Sequence, residues 1–310
     1  MNDTGFAIII SNATIDDALL PHIIDERHKI VRAGQFERSQ FDSMLKGAGY
    51  FTSFLVPFGS TPVEIKLENG ARTEWVPPEE FGLCMVEYSG FSQYLQELRY
   101  AGCLITPKFR FAMDSSYRDD SLRDSVSFVG LISYFQLQAM KEGNRKPVAV
   151  YEKKDFDSLS HYFKRILSEH VEGSRLYRAL MLFADTERLP QDSGLLTLSY
   201  FSVLESLVTN GRQDGDSITN QLKNKIRLLL NRIDGVDHKS HFRQIEFEAL
   251  WKKLYGVRSD IAHGNPYDFT KAYSALNDLH CINGYLDQVV AAIIRLAIDE
   301  PALVEDLRNC

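Results

Sequence analysis

The sequence predicts an α+β protein, with a mixed strand-and-helix domain over residues 1–150 and an all-α helical bundle over residues 151–310. Three features carry that expectation. The first 150 residues hold short β-branched and aromatic runs broken by Gly and Pro. The remainder spaces its apolar residues three and four apart, the helical period. Between the two, Glu142-Gly-Asn-Arg-Lys-Pro147 is polar and carries both strong backbone punctuators, which marks an exposed connection. A chain of 310 residues is long for one domain and short for three, so a division into two is expected.

Strands are expected over Phe6–Ile10, Tyr50–Pro57, Val63–Leu67, Thr73–Val76 and Leu83–Tyr88. Residues 63–76 alternate apolar and polar on both sides of Asn69-Gly70, a dipeptide that tolerates positive φ at both turn positions, so a hairpin is predicted there. Helical spacing over Ser92–Tyr100 and Val126–Met140 makes the first domain mixed rather than all-β. In the second half helices are expected over Asp155–Val171, Leu176–Arg188, Gly194–Thr209, Ile218–Arg232, Ile245–Ala262 and Asp268–Ile298. The breaks fall at Pro190 with Asp192-Ser193, Asn210-Gly211, Gly235 and Gly264-Asn265-Pro266. No period of about 20 to 50 residues repeats, which argues against a solenoid.

An apolar fraction of 44%, with 14 Tyr, 19 Phe and 2 Trp, supplies enough bulk for packed cores. Near the start, the longest purely apolar run is Phe6–Ile10, far short of the roughly 20 residues of a membrane span, and Asp3 stands where a secretion signal would carry Lys or Arg. A cytoplasmic protein with no membrane partner is expected. Cys84, Cys103, Cys281 and Cys310 show no metal-ligand spacing and read as reduced thiols, so neither zinc nor disulfides are implied. The net charge of -7 argues against a protein that coats nucleic acid, a mode that needs many phosphate contacts from Lys and Arg. Neither half is basic: residues 1–150 carry 15 Lys+Arg against 19 Asp+Glu, and the rest 20 against 23. Any nucleic-acid contact must be local.

Chemistry concentrates at one helix end. Phe247, Leu250, Trp251, Leu254 and Ile261 form a stripe along Ile245–Ala262, and Arg258 falls on it, so a cation points at the bundle interior. Such an arginine needs an anionic partner, a carboxylate or a bound phosphate. His263 is followed by Gly264, Asn265 and Pro266, which end helices, and the negative end of the helix dipole favours its imidazolium, suiting it to proton transfer near neutral pH. Five residues apart on an ideal helix, Arg258 and His263 leave it about 140° apart. They converge only if the last turn loosens or a second subunit completes the site. Glu205 places a carboxylate on the otherwise apolar face of the 194–209 helix and is a natural partner for Arg258. Read singly, Arg258 is a paired core arginine and His263 a helix cap; their combination is what suggests a site.

Leu254-Tyr-Gly-Val-Arg-Ser-Asp-Ile-Ala-His-Gly-Asn265 resembles the signature of the HEPN superfamily, an Arg, four intervening residues and a His at the end of a long helix. Ser202-Val-Leu-Glu-Ser-Leu-Val208 resembles the matching helix of the Apea-like branch, with Glu205 as its acidic residue. The likeness covers roughly residues 175–300. It implies a metal-independent endoribonuclease without cofactors that leaves 2′,3′-cyclic phosphate, with RNA as substrate and a site formed where two protomers of a homodimer meet. Phage defence or a toxin system, the latter with an inhibitory protein partner, is the implied setting. Arg258 and His263 would be catalytic, with Glu205, Ser259 and Asn265 supporting. Ser259 stands where many members carry Asn. Other members keep the fold only as binding modules, so the rival expectation is a non-catalytic helical interaction or nucleotide-binding module with Arg258 in a structural ion pair.

Lys223, Lys225, Arg227 and Arg232 recur along one helix and read as a solvated face more readily than as an RNA track. His238 and His241 sit three apart in a polar segment without a further ligand, so an exposed loop is expected. Neither a phosphate-binding Gly-rich loop nor a nucleophile motif is present.

Overall fold

The computed structural model describes residues 4–9, 13–37, 61–67, 70–76, 84–90, 94–117, 127–128, 149–169, 173–210, 217–233, 235–242 and 245–310. The fold is α+β, with antiparallel sheet toward the N-terminus and helices toward the C-terminus. Two compact units divide at 164/165.

In chain order, the first unit contains β1 (Thr4–Ile9), β2 (Ala13–Ile15), β3 (His22–Ile23), β4 (His28–Arg32), β5 (Thr61–Leu67), β6 (Gly70–Val76) and β7 (Cys84–Ser89). Helix α1 (Tyr94–Leu104), β8 (Phe111–Tyr117), β9 (Ser127–Phe128), β10 (Ala149–Tyr151) and the start of α2 (Lys153–Glu169) follow. The main sheet runs β3-β4-β7-β1-β8-β9, every pair antiparallel. β1 lies inside it, which suits the buried Phe6, Ala7 and Ile9. β2 and β10 form a separate parallel pair, and β5 and β6 the hairpin. In that hairpin Leu67 stands opposite Gly70, so Gly70 opens the returning strand rather than occupying the centre of the turn.

The expected strand Tyr50–Pro57 lies outside the described residues, as does the connection Glu142–Pro147. So does the expected helix Val126–Met140 apart from Ser127 and Phe128, and these two are strand, not helix, because they pair with Ser116 and Ser115 at the sheet edge. The division also falls beyond residue 150. Phe156, Leu159 and Phe163 of α2 are fully buried, with Phe156 stacked on Tyr151 at 5.6 Å and Phe163 edge-on to His28 at 5.1 Å, so the start of this helix belongs to the sheet unit.

The second unit comprises α3 (Arg175–Asp185), α4 (Gly194–Val208), α5 (Ile218–Leu230), α6 (Phe247–His263), α7 (Leu279–Asp299) and α8 (Pro301–Asn309). Side-chain oxygens start four of them where Ser and Asp permit: Ser174, Ser193, Ser217 and Asp278 each accept a first-turn N–H. α7 is apolar nearly all round and forms the core, with Ile282, Leu286, Val289, Val290, Ile293 and Ile294 at zero exposure. By length and composition it could cross a membrane, but most of it is buried inside the bundle. The single helix expected over Asp268–Ile298 therefore begins only at Leu279. Asn277 adopts a positive φ of 62° and Asp278 caps the new helix, so residues 268–278 form turns instead. α3 similarly stops at Asp185 and tightens into a 3-10 turn over Thr186–Arg188.

Asn283 is a fully buried polar residue of this core. Asn283 of α7 accepts a hydrogen bond from the Thr197 hydroxyl at 2.7 Å and donates to the carbonyls of Gln191 and Ser193 at 2.8 and 3.1 Å, which ties the N-terminus of α4 to α7. Losing it strands the buried Thr197 hydroxyl and two part-buried carbonyls, with the buried partner alone costing about 1–3 kcal/mol before relaxation. Asn283→Leu is therefore expected to lower the unfolding free energy by about 3 kcal/mol, measured by urea denaturation followed through helical circular dichroism.

Candidate functional site

α4 and α6 carry the site. Arg258 Nη2 lies 3.1 Å from Glu205 Oε1 and donates a hydrogen bond to Oε2 at 3.2 Å, joining the two helices. The geometry is not a two-nitrogen fork, because Nη2 alone donates to the carboxylate and the buried Nε–H has no acceptor among the described residues. The guanidinium packs 5.4 Å from the centre of the Tyr255 ring, and Tyr255 in turn meets Phe201 edge-on at 6.0 Å. Aromatic faces thus support the cation where water is scarce. The side chains of Arg258 and Glu205 keep 26% and 21% of their surface exposed, so the pair lies at the rim of the bundle and not within it.

α6 is helical through His263, and the chain turns left-handed only at Gly264, φ 70°. Gly264 N–H bonds the Ile261 carbonyl at 3.2 Å and Asn265 N–H the Asp260 carbonyl at 2.8 Å, the Schellman arrangement. Backbone groups therefore make the cap, and the exposed His263 imidazole makes no hydrogen bond among the described residues. Because the last turn keeps its α form, Arg258 and His263 leave one helix about 140° apart. The structure brings Arg258 and Glu205 together and leaves His263 on a separate face.

The supporting residues divide. Ser259 is half-buried and makes no hydrogen bond among the described residues. Asn265 turns back, its amide 3.4 Å from Asp260 Oδ1. Asp260 also accepts the Tyr273 hydroxyl at 2.6 Å, and Tyr273 lies against Gly256. Neither Asp260 nor Tyr273 stands out in the sequence, because an Asp near a helix end is common and its partner comes from a separate turn.

The other basic residues have local uses. Lys225 is buried and donates to the Arg308 carbonyl at 2.9 Å, and burial lowers its ammonium pKa; it does not belong to a solvated face. Arg227 pairs with Glu248 at 3.3 Å and Arg232 with Glu300 at 2.9 Å. His238 contacts the Ile245 carbonyl at 3.1 Å, and among the described residues no three His, Cys, Asp or Glu side chains gather as a metal site.

Set against known proteins, the chain matches no family model, no curated protein and no solved structure. The site must be argued from its own residues. Glu205→Leu leaves the half-buried Arg258 without its carboxylate and is expected to cost about 1–3 kcal/mol, between the values for exposed and buried pairs. Glu205→Gln retains an acceptor and should cost less than half of that loss, both read as shifts in the urea midpoint.

Proposed function

We propose that the protein is a metal-independent endoribonuclease of HEPN type, acting as a homodimer with Arg258 and His263 at its catalytic centre. The observation that carries this reading is His263. It is exposed, stands at a firmly capped helix end, and takes no part in the cap that would explain it structurally. Arg258 supports the same reading, since a guanidinium bonded through one nitrogen retains donors for a phosphate oxygen.

RNA cleavage needs no covalent contribution from the protein. The 2′-oxygen attacks the adjacent phosphorus, the bond from phosphorus to the 5′-oxygen breaks, and the products are a 2′,3′-cyclic phosphate and a 5′-hydroxyl. One group must take the 2′-hydroxyl proton, another must protonate the departing 5′-oxygen, and a cation must meet the charge on the phosphoryl oxygens. A two-fold contact supplies two imidazoles and two guanidiniums from one motif per chain. It also removes the geometric difficulty of a single α6, whose Arg and His diverge. In this scheme His263 of each protomer exchanges a proton and Arg258 steadies the phosphate. Antiviral or toxin activity under the restraint of a partner protein is the setting proposed with it.

The Glu205 contact favours one second reading. A helical module that binds a protein or nucleotide and uses Arg258 only to join α4 to α6 would show the same ion pair. The two readings separate on one experiment. Purified protein incubated with single-stranded RNA and a chelator should generate cyclic-phosphate ends. His263→Ala should lower the rate at least about 100-fold with unchanged melting temperature. Full activity in that variant rejects the site, and absence of cleavage by the wild type favours the binding module. Sedimentation at assay concentration should show a dimer; a monomer that still cleaves would exclude the shared site.

A further inference from the structure

Three atoms of Asp260 hold the helix end that carries His263. Its carbonyl accepts the Asn265 N–H at 2.8 Å, Oδ1 lies 3.4 Å from the Asn265 amide nitrogen, and Oδ2 accepts the Tyr273 hydroxyl at 2.6 Å. Tyr273 lies over α6 at Gly256, where an added Cβ would come within 2.9 Å of the phenol oxygen. Next to it, the Ala272 carbonyl accepts from Lys253 Nζ at 2.6 Å. The loop after His263 is therefore bound back onto the helix it has just left. Burial, reinforced by the Asp260 contact, pushes the Tyr273 phenol up to about 12, so it remains a donor at physiological pH.

Resting on the ribonuclease reading of His263, we propose that Asp260, gripped by Tyr273, is a positioning residue that fixes the last turn of α6 and hence the direction in which the imidazole leaves it. The physical need is specific. Terminal helical turns fray because their last carbonyls lack partners. An imidazole with no hydrogen bond of its own takes its orientation from the backbone beneath it. Catalytic groups must be held to within roughly 0.5 Å, and a misplacement of about 1 Å costs about 100-fold in rate. Asp260 is three residues before His263 and one turn after Gly256, so it connects the turn that must stay still to the part of α6 that is already packed. Asn265, which the resemblance makes a supporting residue, contributes by contacting Asp260.

The test uses the full chain and a labelled single-stranded RNA oligonucleotide with chelator present. Tyr273→Phe and Asp260→Ala are expected to lower kcat about 10- to 100-fold with KM unchanged. Asp260→Asn still offers an acceptor to Tyr273 and should retain most of the wild-type kcat. Gly256→Ala displaces Tyr273 without altering Asp260 and should behave like Tyr273→Phe, which keeps the test open if Asp260→Ala does not fold. Amide hydrogen exchange at Gly264 and Asn265 should accelerate in the impaired variants and not in Asp260→Asn. The proposal is overturned if the wild type cleaves and the variants keep its kcat, if their loss resides in KM, or if Asp260→Asn is as impaired as Asp260→Ala. Should the wild type itself leave RNA intact, the ribonuclease reading fails and the positioning role falls with it, an outcome visible before any variant is compared.

Discussion

A guanidinium at the edge of an apolar bundle cannot be left without a counter-charge, and the pairing of Arg258 with Glu205 meets that constraint. The pair links α4 to α6 at the point where α6 approaches its end. It also sets what the cation can still do. A two-nitrogen fork would have committed more of the guanidinium to the carboxylate, whereas here Nη2 alone donates to it. The buried Nε–H, without an acceptor among the described residues, is a local cost.

That arrangement depends in turn on α7. Its almost wholly apolar surface makes it the element around which the other helices pack, and Asn283 fixes the start of α4 upon it through three hydrogen bonds. At the start of α4, Gly194 allows Ile261 of α6 to pack closely, since an added Cβ would lie 3.2 Å from Ile261 Cγ2. A buried amide therefore sets the position of α4, the helix that carries Glu205, and a glycine permits the close contact with α6, the helix that carries Arg258. Glu205 and Arg258 thus sit on elements held by the core, the favourable placement for groups that must keep an orientation.

Helices α1 to α7 were legible because their apolar residues recur with the helical period, α8 was not among those expected, and the α6 stop was legible because Gly264 can take a positive φ at low cost. The hairpin of β5 and β6 was legible from alternation on both sides of Asn69-Gly70, although its register places Gly70 opposite Leu67. Residues 268–278 were less legible. Tyr273 and Leu276 continue an apolar rhythm, but Leu276 is buried from a turn and Tyr273 lies against Gly256, so periodicity there reflects burial without reflecting helix. Lys225 misleads in the opposite sense, because its ammonium serves the Arg308 carbonyl inside the unit.

By itself the sequence determined the α+β class, the helical texture of the second half, the ending of α6 at His263, and Glu205 as the natural carboxylate for Arg258. Each of these follows from local periodicity, capping chemistry or the cost of an unpaired charge, which neighbouring residues are enough to express. Tertiary structure alone decided that the start of α2 belongs to the sheet unit, that Nη2 makes the only hydrogen bond from Arg258 to Glu205, and that Asp260 is gripped by Tyr273. Those outcomes depend on which distant surfaces meet and at what angle, and a one-dimensional pattern of residue types does not carry that angle.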